Sequence, residues 1–590
     1  MSPPTTSVDG GLQPLAAWAA PVRRLWVCRS LPRAALILLV LLTPCAGAQA
    51  PARIESLVNA GTLDGMRSRD FRAYQESVRE FYAPSGYAPA WVQGTTPSAQ
   101  ALSMIQLLEE AWKKGLDPED YDGGRWQARR EALAQANADV AAFDVALTVC
   151  AMRYVADLRI GRVNPRHVGF DLTVEQKKYD LAQFVRSRLL GASDLSAVVE
   201  SIEPPFPGYR RTELALARYM ELAPQDDGEK LPVPAKAIDP GQPYAGLARM
   251  TRLLRLVGDL PAEDAATTPP EVYAGDLVAG VKRFQRRHGL ADDGRLGAAT
   301  VKAMNVPLGE RVRELQLALE RWRWLPSEFV APPIVVNIPD FHLRTLDAGN
   351  HVVMDMRVVV GKAMTTETPV FSRDMTYVVF RPYWVVPPGI MRRTILPAIE
   401  RDRSYLADNR YEVTTSGGTV VTSGVISDEV LAQLKAGKLM VRQKPGPKNA
   451  LGLVKLMFPN EHAVYLHSTP STELFSRSRR DFSSGCIRVE KPAELTAWVL
   501  RNNPGWPLAR VEQAMQSGRD NVTVTLAQRI PVFIVYGTAI AHPDGEVHFY
   551  PDLYGHDRRL AEALARAHSP SETAVSGAGA IMRSANHPGA

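Results

Sequence analysis

The chain has 590 residues, a length that predicts several domains rather than one. Its formal net charge of +6 is small and spread along the chain, which argues against a nucleic-acid-binding protein. A hydrophobic content of 45% predicts a folded, globular protein.

The first segment, residues 1–48, is predicted to be a signal peptide. Four arginines precede a short apolar run at 34–42, and small residues follow at 46–48. This order is typical of a secretory leader, and the run is shorter than the roughly 20 residues of a membrane span. We expect cleavage after Ala48. An uncleaved membrane anchor is the alternative, and a lipidated Cys45 is less favoured.

Cleavage there removes Cys28 and Cys45, so the exported chain keeps only Cys150 and Cys486. Two distant cysteines do not make a disulfide scaffold. Cys150 lies in an apolar, helical pattern at 144–155, which predicts a buried core residue. Cys486 has no such pattern around it, so this thiol needs another explanation.

Residues 53–228 are predicted to form a mostly helical scaffold domain. Apolar residues recur at three- and four-residue spacing in 99–115 and 141–161. No catalytic cluster is evident in this part of the chain. A linker rich in proline and glycine follows at 229–246.

Residues 247–306 are predicted to form a second unit, in which glycine-punctuated turns join helices. The residues that form the skeleton of this motif are Phe284, Gln285, His288, Gly289, Leu290, Asp293, Gly294, Gly297 and Thr300. With this skeleton the unit resembles the three-helix peptidoglycan-binding module. His288 with Asp292 and Asp293 offers a metal site as an alternative, but packing around the glycine turns explains the same residues, and we predict no metal.

From residue 332 the chain becomes rich in β-branched residues, which predicts strands. The predicted strands lie in 333–346, 351–362, 375–388, 462–469 and 529–537. Between them, 389–448 is a long insertion with an amphipathic helical start and a turn-rich middle, which we expect to be a subdomain or lid. The domain is expected to span 332–558, and the small, polar segment 569–590 is predicted to be disordered.

One cysteine and one histidine lie close together in this β-rich domain. His467 ends a predicted strand, Cys486 follows, and a helix is predicted to begin near Pro492. We therefore expect Cys486 on a loop between a strand and a helix, where catalytic groups are often mounted. A thiolate is the reactive form of cysteine, and a neighbouring imidazole can take its proton. The pair predicts a cysteine acyltransferase.

Residues around the cysteine suggest further roles. Gly485 allows close approach of the backbone, so the N–H groups of Ser484 and Gly485 are predicted to form an oxyanion hole. Arg488 is predicted to bind a carboxylate. Taken alone, these residues support cysteine acyl transfer on an exported, peptide-like substrate.

At these residues the chain resembles the L,D-transpeptidases with a YkuD-type catalytic domain. Their pattern is a histidine, a spacer and then Ser/Thr-His-Gly-Cys; here His467 is followed by "SSGC" at 483–486, with Ser484 in place of the usual second histidine. The stretches "PYWVVPPGI", "GPKNALGLVKLMFPN", "HSTP", "RDFSSGCIRV" and "YPDLYGHD" are similar to the large Gram-negative branch. That branch also has a helical scaffold, a peptidoglycan-binding module and a lid-like insertion.

The resemblance implies a multidomain α+β protein with Cys486 as nucleophile and His467 as general base and later acid. It also implies that the backbone carbonyl of Ser468 orients the imidazole. The residues that it places at the substrate are Tyr465, Trp384, Ser483 and Asn449, beside Arg488. No cofactor and no metal are implied.

The implied reaction is attack on the diaminopimelate carbonyl of a tetrapeptide stem, release of D-Ala, and transfer to an amine of another stem, giving a 3→3 cross-link. Water as acceptor would instead make an L,D-carboxypeptidase, and a third possibility is an inactive wall-binding scaffold. The resemblance also implies acylation by carbapenems and a periplasmic location. Its partners would be peptidoglycan stems and glycan and cell-wall synthesis proteins, with membrane contact only through the leader.

Overall fold

The structure is a computed structural model that describes residues 49–174, 177, 179–261 and 272–567. The predicted signal peptide (1–48) and the predicted disordered tail (569–590) lie outside the described residues. Across the described part of the chain, no helix combines the length and the apolar character needed to cross a bilayer.

The N-terminal region is helical, as its residue pattern predicts. Its helices are α1 (Ala50–Ala60), α2 (Gln75–Tyr82), α3 (Ala99–Glu109), α4 (Trp126–Leu133), α5 (Val140–Ile160), α6 (Leu181–Phe184), α7 (Leu195–Glu200) and α8 (Pro207–Leu222), with a short hairpin of β1 (Val92–Gln93) and β2 (Thr96–Pro97) before α3. Asp139 caps α5 by accepting a hydrogen bond from Ala142 N at 3.0 Å. Cys150 lies fully buried in this helix, and burial raises the pKa of its thiol to about 12. The prediction of a core cysteine is confirmed.

Three helices form the next unit: α9 (Leu247–Leu256), α10 (Asp276–Arg287) and α11 (Ala298–Met304). The buried His288 ring stacks on Phe284 with centroids 3.7 Å apart, and its Nδ1 lies 2.7 Å from the Phe284 carbonyl. The Asp293 carboxylate accepts from Arg295 N at 2.9 Å. These side chains are therefore engaged in packing and turn formation, and the described residues contain no cluster suited to a metal ion.

Helix α12 (Leu308–Arg323) joins this unit to both of its neighbours. Leu315 and Leu319 pack into the core that α8 to α11 share, whereas Leu317 packs into the core of the β-rich domain. The Glu320 carboxylate accepts from the N–H groups of Arg162 and Val163, at 2.6 and 2.9 Å, just after α5. No sequence-based prediction covered this helix, although it holds the three regions together.

The β-rich domain is built on a closed barrel. The remaining strands in the described residues are β3 (Ile334–Asn337), β4 (His342–Leu346), β5 (Val352–Gly361), β6 (Phe371–Phe380), β7 (Trp384–Val385), β8 (Tyr411–Thr414), β9 (Val420–Thr422), β10 (Met440–Gln443), β11 (Val454–Met457), β12 (Leu466–His467), β13 (Asp481–Ser483), β14 (Ile487–Val489), β15 (Val522–Val535), β16 (Ala539–Ala541) and β17 (Val547–Phe549). The barrel runs β5-β14-β12-β11-β6-β15-β3-β4, and β4 pairs back onto β5, which closes it. Strand β13 pairs with β5 outside this circuit.

The insertion between β6 and β11 has a core of its own. It contains α13 (Pro388–Ile390), α14 (Leu396–Arg401), α15 (Tyr405–Asp408) and α16 (Asp428–Lys435), and a sheet of order β7-β10-β8-β9. Ile399, Leu406 and Val413 lie in its buried cluster. The start of the insertion is helical and its middle is rich in turns, as expected. Its sheet was not predicted: the β-branched residues of that middle form β9 and pair with β8.

Three helices and a hairpin follow in the last described part of the chain, up to residue 567. They are α17 (Pro492–Val499), α18 (Leu508–Gln516), the hairpin of β16 and β17, and α19 (His556–Ala567). The hairpin residue Phe549 packs in the core of the three-helix unit. The described part of the fold is thus a mixed α+β architecture of several regions, as predicted.

Candidate active site

Cys486 lies on a tight turn between β13 and β14. The Ser483 hydroxyl donates to the Cys486 carbonyl at 2.5 Å and accepts from Gly485 N at 3.2 Å. Gly485 has a φ of 114°, in a region that side chains rarely adopt. The turn therefore connects two strands, and the expectation of a loop between a strand and a helix was wrong, because β14 lies between Cys486 and α17.

A second segment supports this turn. The hydroxyl of Thr366 donates to the Ser483 carbonyl, and that of the buried Thr368 donates to the Gly485 carbonyl, each at 2.8 Å. Gly361 approaches so closely that an added Cβ would lie 2.0 Å from the Thr366 carbonyl oxygen. The loop after β5 thus fixes the backbone around the cysteine.

The parallel pairing of β12 with β14 brings four polar side chains onto one face. Leu466 pairs with Ile487, and both are buried in the barrel core. Because side chains alternate along strands, Tyr465, His467, Cys486 and Arg488 face the opposite side. That pairing brings together four of the residues predicted from the sequence.

His467 is buried, and its Nδ1 lies 2.6 Å from the carbonyl oxygen of Ser468. A carbonyl only accepts, so Nδ1 carries the proton and Nε2 keeps a lone pair. Burial and then the charge of Arg488 lower the pKa of His467 to about 4, against the opposing effect of the Ser468 and Leu451 carbonyls. The imidazole is neutral at neutral pH and has the protonation state of a base.

This buried imidazole predicts a loss of stability in acid. The pKa of His467 is about 4 in the folded chain and about 6.5 in an unfolded one, so the unfolded chain binds more protons between these values. From pH 7.5 to pH 5 this group alone should lower the free energy of unfolding by about 2 kcal/mol. In His467→Gln the fall measured by urea denaturation should be smaller by that amount. The exposed His167→Gln is the control, and equal slopes in all three proteins would contradict the assignment.

The thiol of Cys486 is half-buried and faces a backbone carbonyl at rest. Its Sγ lies 3.6 Å from the Ala463 carbonyl oxygen. Burial raises the pKa of this thiol, and Tyr465, Arg488 and Lys455 oppose that rise. Within the described ranges Cys486 and His467 share no hydrogen bond, so proton transfer between them requires rotation of the thiol.

Arg488 places a positive charge beside the thiol. Its Nε is buried and has no hydrogen-bond partner within the described residues. Burial lowers the pKa of this guanidinium, whereas Glu473 and Cys486 raise it. An arginine with a free donor on the cysteine face can receive a carboxylate.

Two of the predicted substrate-binding residues, Asn449 and Ser483, use their side chains for other contacts. Asn449 is buried, and its amide donates to the carbonyls of Pro382, Gln443 and Lys444 at 3.1 to 3.3 Å. Asn449 thereby joins the two segments through which the chain enters and leaves the insertion, 381–383 and 443–453, which we call the neck. It is not placed to bind a substrate. Ser483 uses its hydroxyl within the turn, so the same correction applies to it.

The backbone donors around the cysteine also differ from the prediction. The N–H of Gly485 already donates to Ser483, so this group is not available for an oxyanion. Among the described residues, the N–H groups of Ser484 and Cys486 donate to no protein acceptor. The free donors are therefore those of Ser484 and Cys486.

Trp384 belongs to the insertion rather than to the cysteine face. It lies on β7, which pairs with β10, and its ring centroid is 6.3 Å from that of Tyr411. The side chain packs against the insertion core, so its predicted place in the substrate wall is not supported by its contacts.

Lys455 was missed by the sequence-based interpretation. It lies on β11 in register with His467 and projects onto the same face. A lysine in a short strand normally indicates a solvent-exposed position, so the sequence contained no signal for it beyond strand alternation.

Comparisons with known proteins are consistent with this geometry. Residues 332–524 match the L,D-transpeptidase catalytic domain, 251–304 match the "Putative peptidoglycan binding domain", and 76–216 match the "Scaffold domain". A "Putative L,D-transpeptidase" of Haemophilus influenzae is 31% identical over 276 residues, which are 46% of this chain and 54% of that protein. The chain thus matches about half the length of this curated relative, 54%.

A crystal structure of the L,D-transpeptidase from Xylanimonas cellulosilytica is 12% identical and covers 52% of this chain and 100% of that one, with a TM-score of 0.15. A TM-score this low does not support a comparison of the two folds. The domain matches and the curated relative agree with one another. The chain thus contains an L,D-transpeptidase catalytic domain of the YkuD type, preceded by a scaffold domain and a peptidoglycan-binding domain.

Proposed function

We propose that this protein cross-links peptidoglycan through Cys486, by taking the acyl group of a tetrapeptide stem and passing it to an amine of another stem. The observation that carries the proposal is the shared face of Tyr465, His467, Cys486 and Arg488, which results from the register of β12 and β14. The family match supplies the substrate class.

The first step transfers the thiol proton to Nε2 of His467. The Cys486 thiolate then attacks the diaminopimelate carbonyl carbon, and the oxyanion accepts hydrogen bonds from the free N–H groups of Ser484 and Cys486. The amine of D-Ala leaves with the proton from the imidazolium, and a thioester remains on Sγ. Attack by the acceptor amine, deprotonated by the same imidazole, forms the new amide and returns the thiol.

Arg488 would hold a carboxylate of the stem in this scheme. Its guanidinium lies on the face of the cysteine with a free Nε donor. A charge-assisted pair of this kind orients the substrate as well as binding it.

The insertion is proposed to act as a lid, and its neck connects it to the catalytic histidine. The Ser468 hydroxyl accepts from the N–H groups of Leu453 and Val454, at 2.6 and 3.2 Å, and the Ser468 carbonyl holds His467. The neck of the insertion therefore touches the residue that orients the base. Closure of such a lid would exclude water, which competes with the acceptor amine for the thioester.

Removal of residues 416–424 tests the lid. This deletion takes away β9, which is an edge strand, and spares the Ser427 hydroxyl that caps α16. We expect the ratio of hydrolysed tripeptide to cross-linked dimer to rise several-fold, because water would reach the thioester more readily. Products are measured by mass spectrometry after equal circular dichroism spectra are confirmed. An unchanged ratio would leave the insertion a packing subdomain only.

A peptidoglycan substrate also supports a periplasmic location at the cell wall. The scaffold and peptidoglycan-binding domains would hold the catalytic domain against its polymeric substrate. Contacts with glycan and with cell-wall synthesis proteins are part of the same proposal.

The deciding experiment incubates the protein with purified tetrapeptide muropeptides and identifies the products by mass spectrometry. Dimers with 3→3 links are the expected result. Tripeptides without dimers would identify an L,D-carboxypeptidase, and unchanged tetrapeptides would favour a wall-binding scaffold.

A further inference from the structure

Lys455 lies beside the proposed catalytic pair, at a place where its charge can act on the cysteine. Its Cα pairs with that of His467 across β11 and β12, and His467 pairs in turn with Arg488 across β12 and β14. Lys455, His467 and Arg488 therefore form one row across three adjacent strands, on the face that carries Cys486.

The side chain of Lys455 extends over Tyr465. Its Nζ lies 5.8 Å from the centroid of the Tyr465 ring. The Tyr465 carbonyl accepts from Ile487 N at 3.1 Å, so Tyr465 lies directly opposite the cysteine. The ammonium group thus lies over the residue that borders the thiol.

Lys455 is half-buried and, within the described part of the chain, makes no ion pair and donates no hydrogen bond. A half-buried ammonium without a carboxylate is unfavourable and commonly marks a functional group. The charged or titratable groups around it are Tyr465, His467, Cys486 and Arg488, with Glu473 acting on Arg488. On the other side, β6 presents Val379 and, two residues away, Tyr377.

We propose that Lys455 is a positioning residue that stabilises the thiolate form of Cys486. The inference rests on the proposed function. When the S–H bond breaks, the proton passes to Nε2 of His467, and the negative charge left on Sγ faces the ammonium of Lys455. Arg488 lies on the other side of His467 in the row and is then free to bind the carboxylate of the stem.

The electrostatics agree with this placement. Burial lowers the pKa of Lys455, and the charge of Cys486 raises it. Burial raises the pKa of Cys486, and the groups that oppose this rise are Tyr465, Arg488 and Lys455. Each group therefore favours the charged form of the other.

The test is the pH dependence of alkylation of Cys486 by iodoacetamide, resolved by peptide mapping. In Lys455→Met the profile should move to higher pH, and alkylation at neutral pH should slow on the order of ten-fold. Lys455→Arg should restore most of the reactivity, because it restores the charge. Lys491→Met removes the same formal charge from the exposed Lys491 of this domain and should leave the profile unchanged.

A purely structural role would change the thermal midpoint and leave the profile in place. The measurement is repeated with Lys455→Gln, a second neutral variant. The test is valid if at least one of the two variants folds. A wild-type profile in either folded neutral variant overturns the proposal, as does an equal shift in Lys491→Met. Alkylation needs no peptidoglycan, so its result can be interpreted even if the cross-linking assay shows no product.

Discussion

Replacing Cys486 with alanine is expected to abolish cross-linking while the protein remains folded. The thioester of the proposed reaction forms on Sγ, and loss of a nucleophile typically costs at least about 10⁴-fold in rate. The thiol is half-buried, and its hydrogen bond to the Ala463 carbonyl is long, at 3.6 Å. Its removal should therefore change the thermal midpoint little. Dimer formation from muropeptides and thermal denaturation are measured on the same sample.

Cys150→Ala is the matched control, because Cys150 is the other cysteine in the described residues. It should keep full cross-linking activity and lose about 1–2 kcal/mol of stability, since it removes a buried sulfur from α5. A carbapenem should add one adduct to the wild type and to Cys150→Ala, and none to Cys486→Ala. Cross-linking or an adduct in folded Cys486→Ala would refute the assignment of the nucleophile.

The local elements of this fold were predictable, whereas the contacts that close it were not. Apolar residues at helical spacing predicted α3 and α5, because such spacing creates one buried stripe. The pairing of β4 with β5 closes the barrel and depends on the sheet as a whole. Helix α12 was missed because its apolar residues serve two cores, which a single amphipathic stripe does not reveal.

The site shows the same division. The grouping of His467, Cys486 and Arg488 in one short span was visible in the sequence. The shared face of His467 and Arg488 was not, because it depends on the register between β12 and β14, and β14 was not predicted. The orientation of the Asn449 side chain could not be predicted either. Its amide donates to three carbonyls that only the folded neck of the insertion brings together. Lys455 was missed because the register between β11 and β12 is a non-local property.

Gly452→Ala is expected to impair both stability and catalysis. Gly452 has a φ of 61°, and a Cβ added there would lie 2.1 Å from the Ser468 hydroxyl oxygen and 2.8 Å from the Ser468 carbonyl carbon. The methyl group must displace Ser468, and overpacking of this kind costs about 1–3 kcal/mol. The left-handed backbone adds about 1–2 kcal/mol for any side chain.

Gly437→Ala separates these two contributions. Gly437 has a φ of 69°, close to that of Gly452, but nothing lies within 4 Å of an added Cβ. It should lose about 1 kcal/mol through its backbone alone and keep its activity. Gly452→Ala should lose about 3 kcal/mol in urea denaturation and, because the carbonyl of Ser468 holds Nδ1 of His467, also lose cross-linking rate at least about ten-fold. Equal losses of stability in Gly452→Ala and Gly437→Ala would show that Ser468 can move aside without an energetic cost. A full cross-linking rate in Gly452→Ala would show that the Ser468 carbonyl does not determine the position of the base.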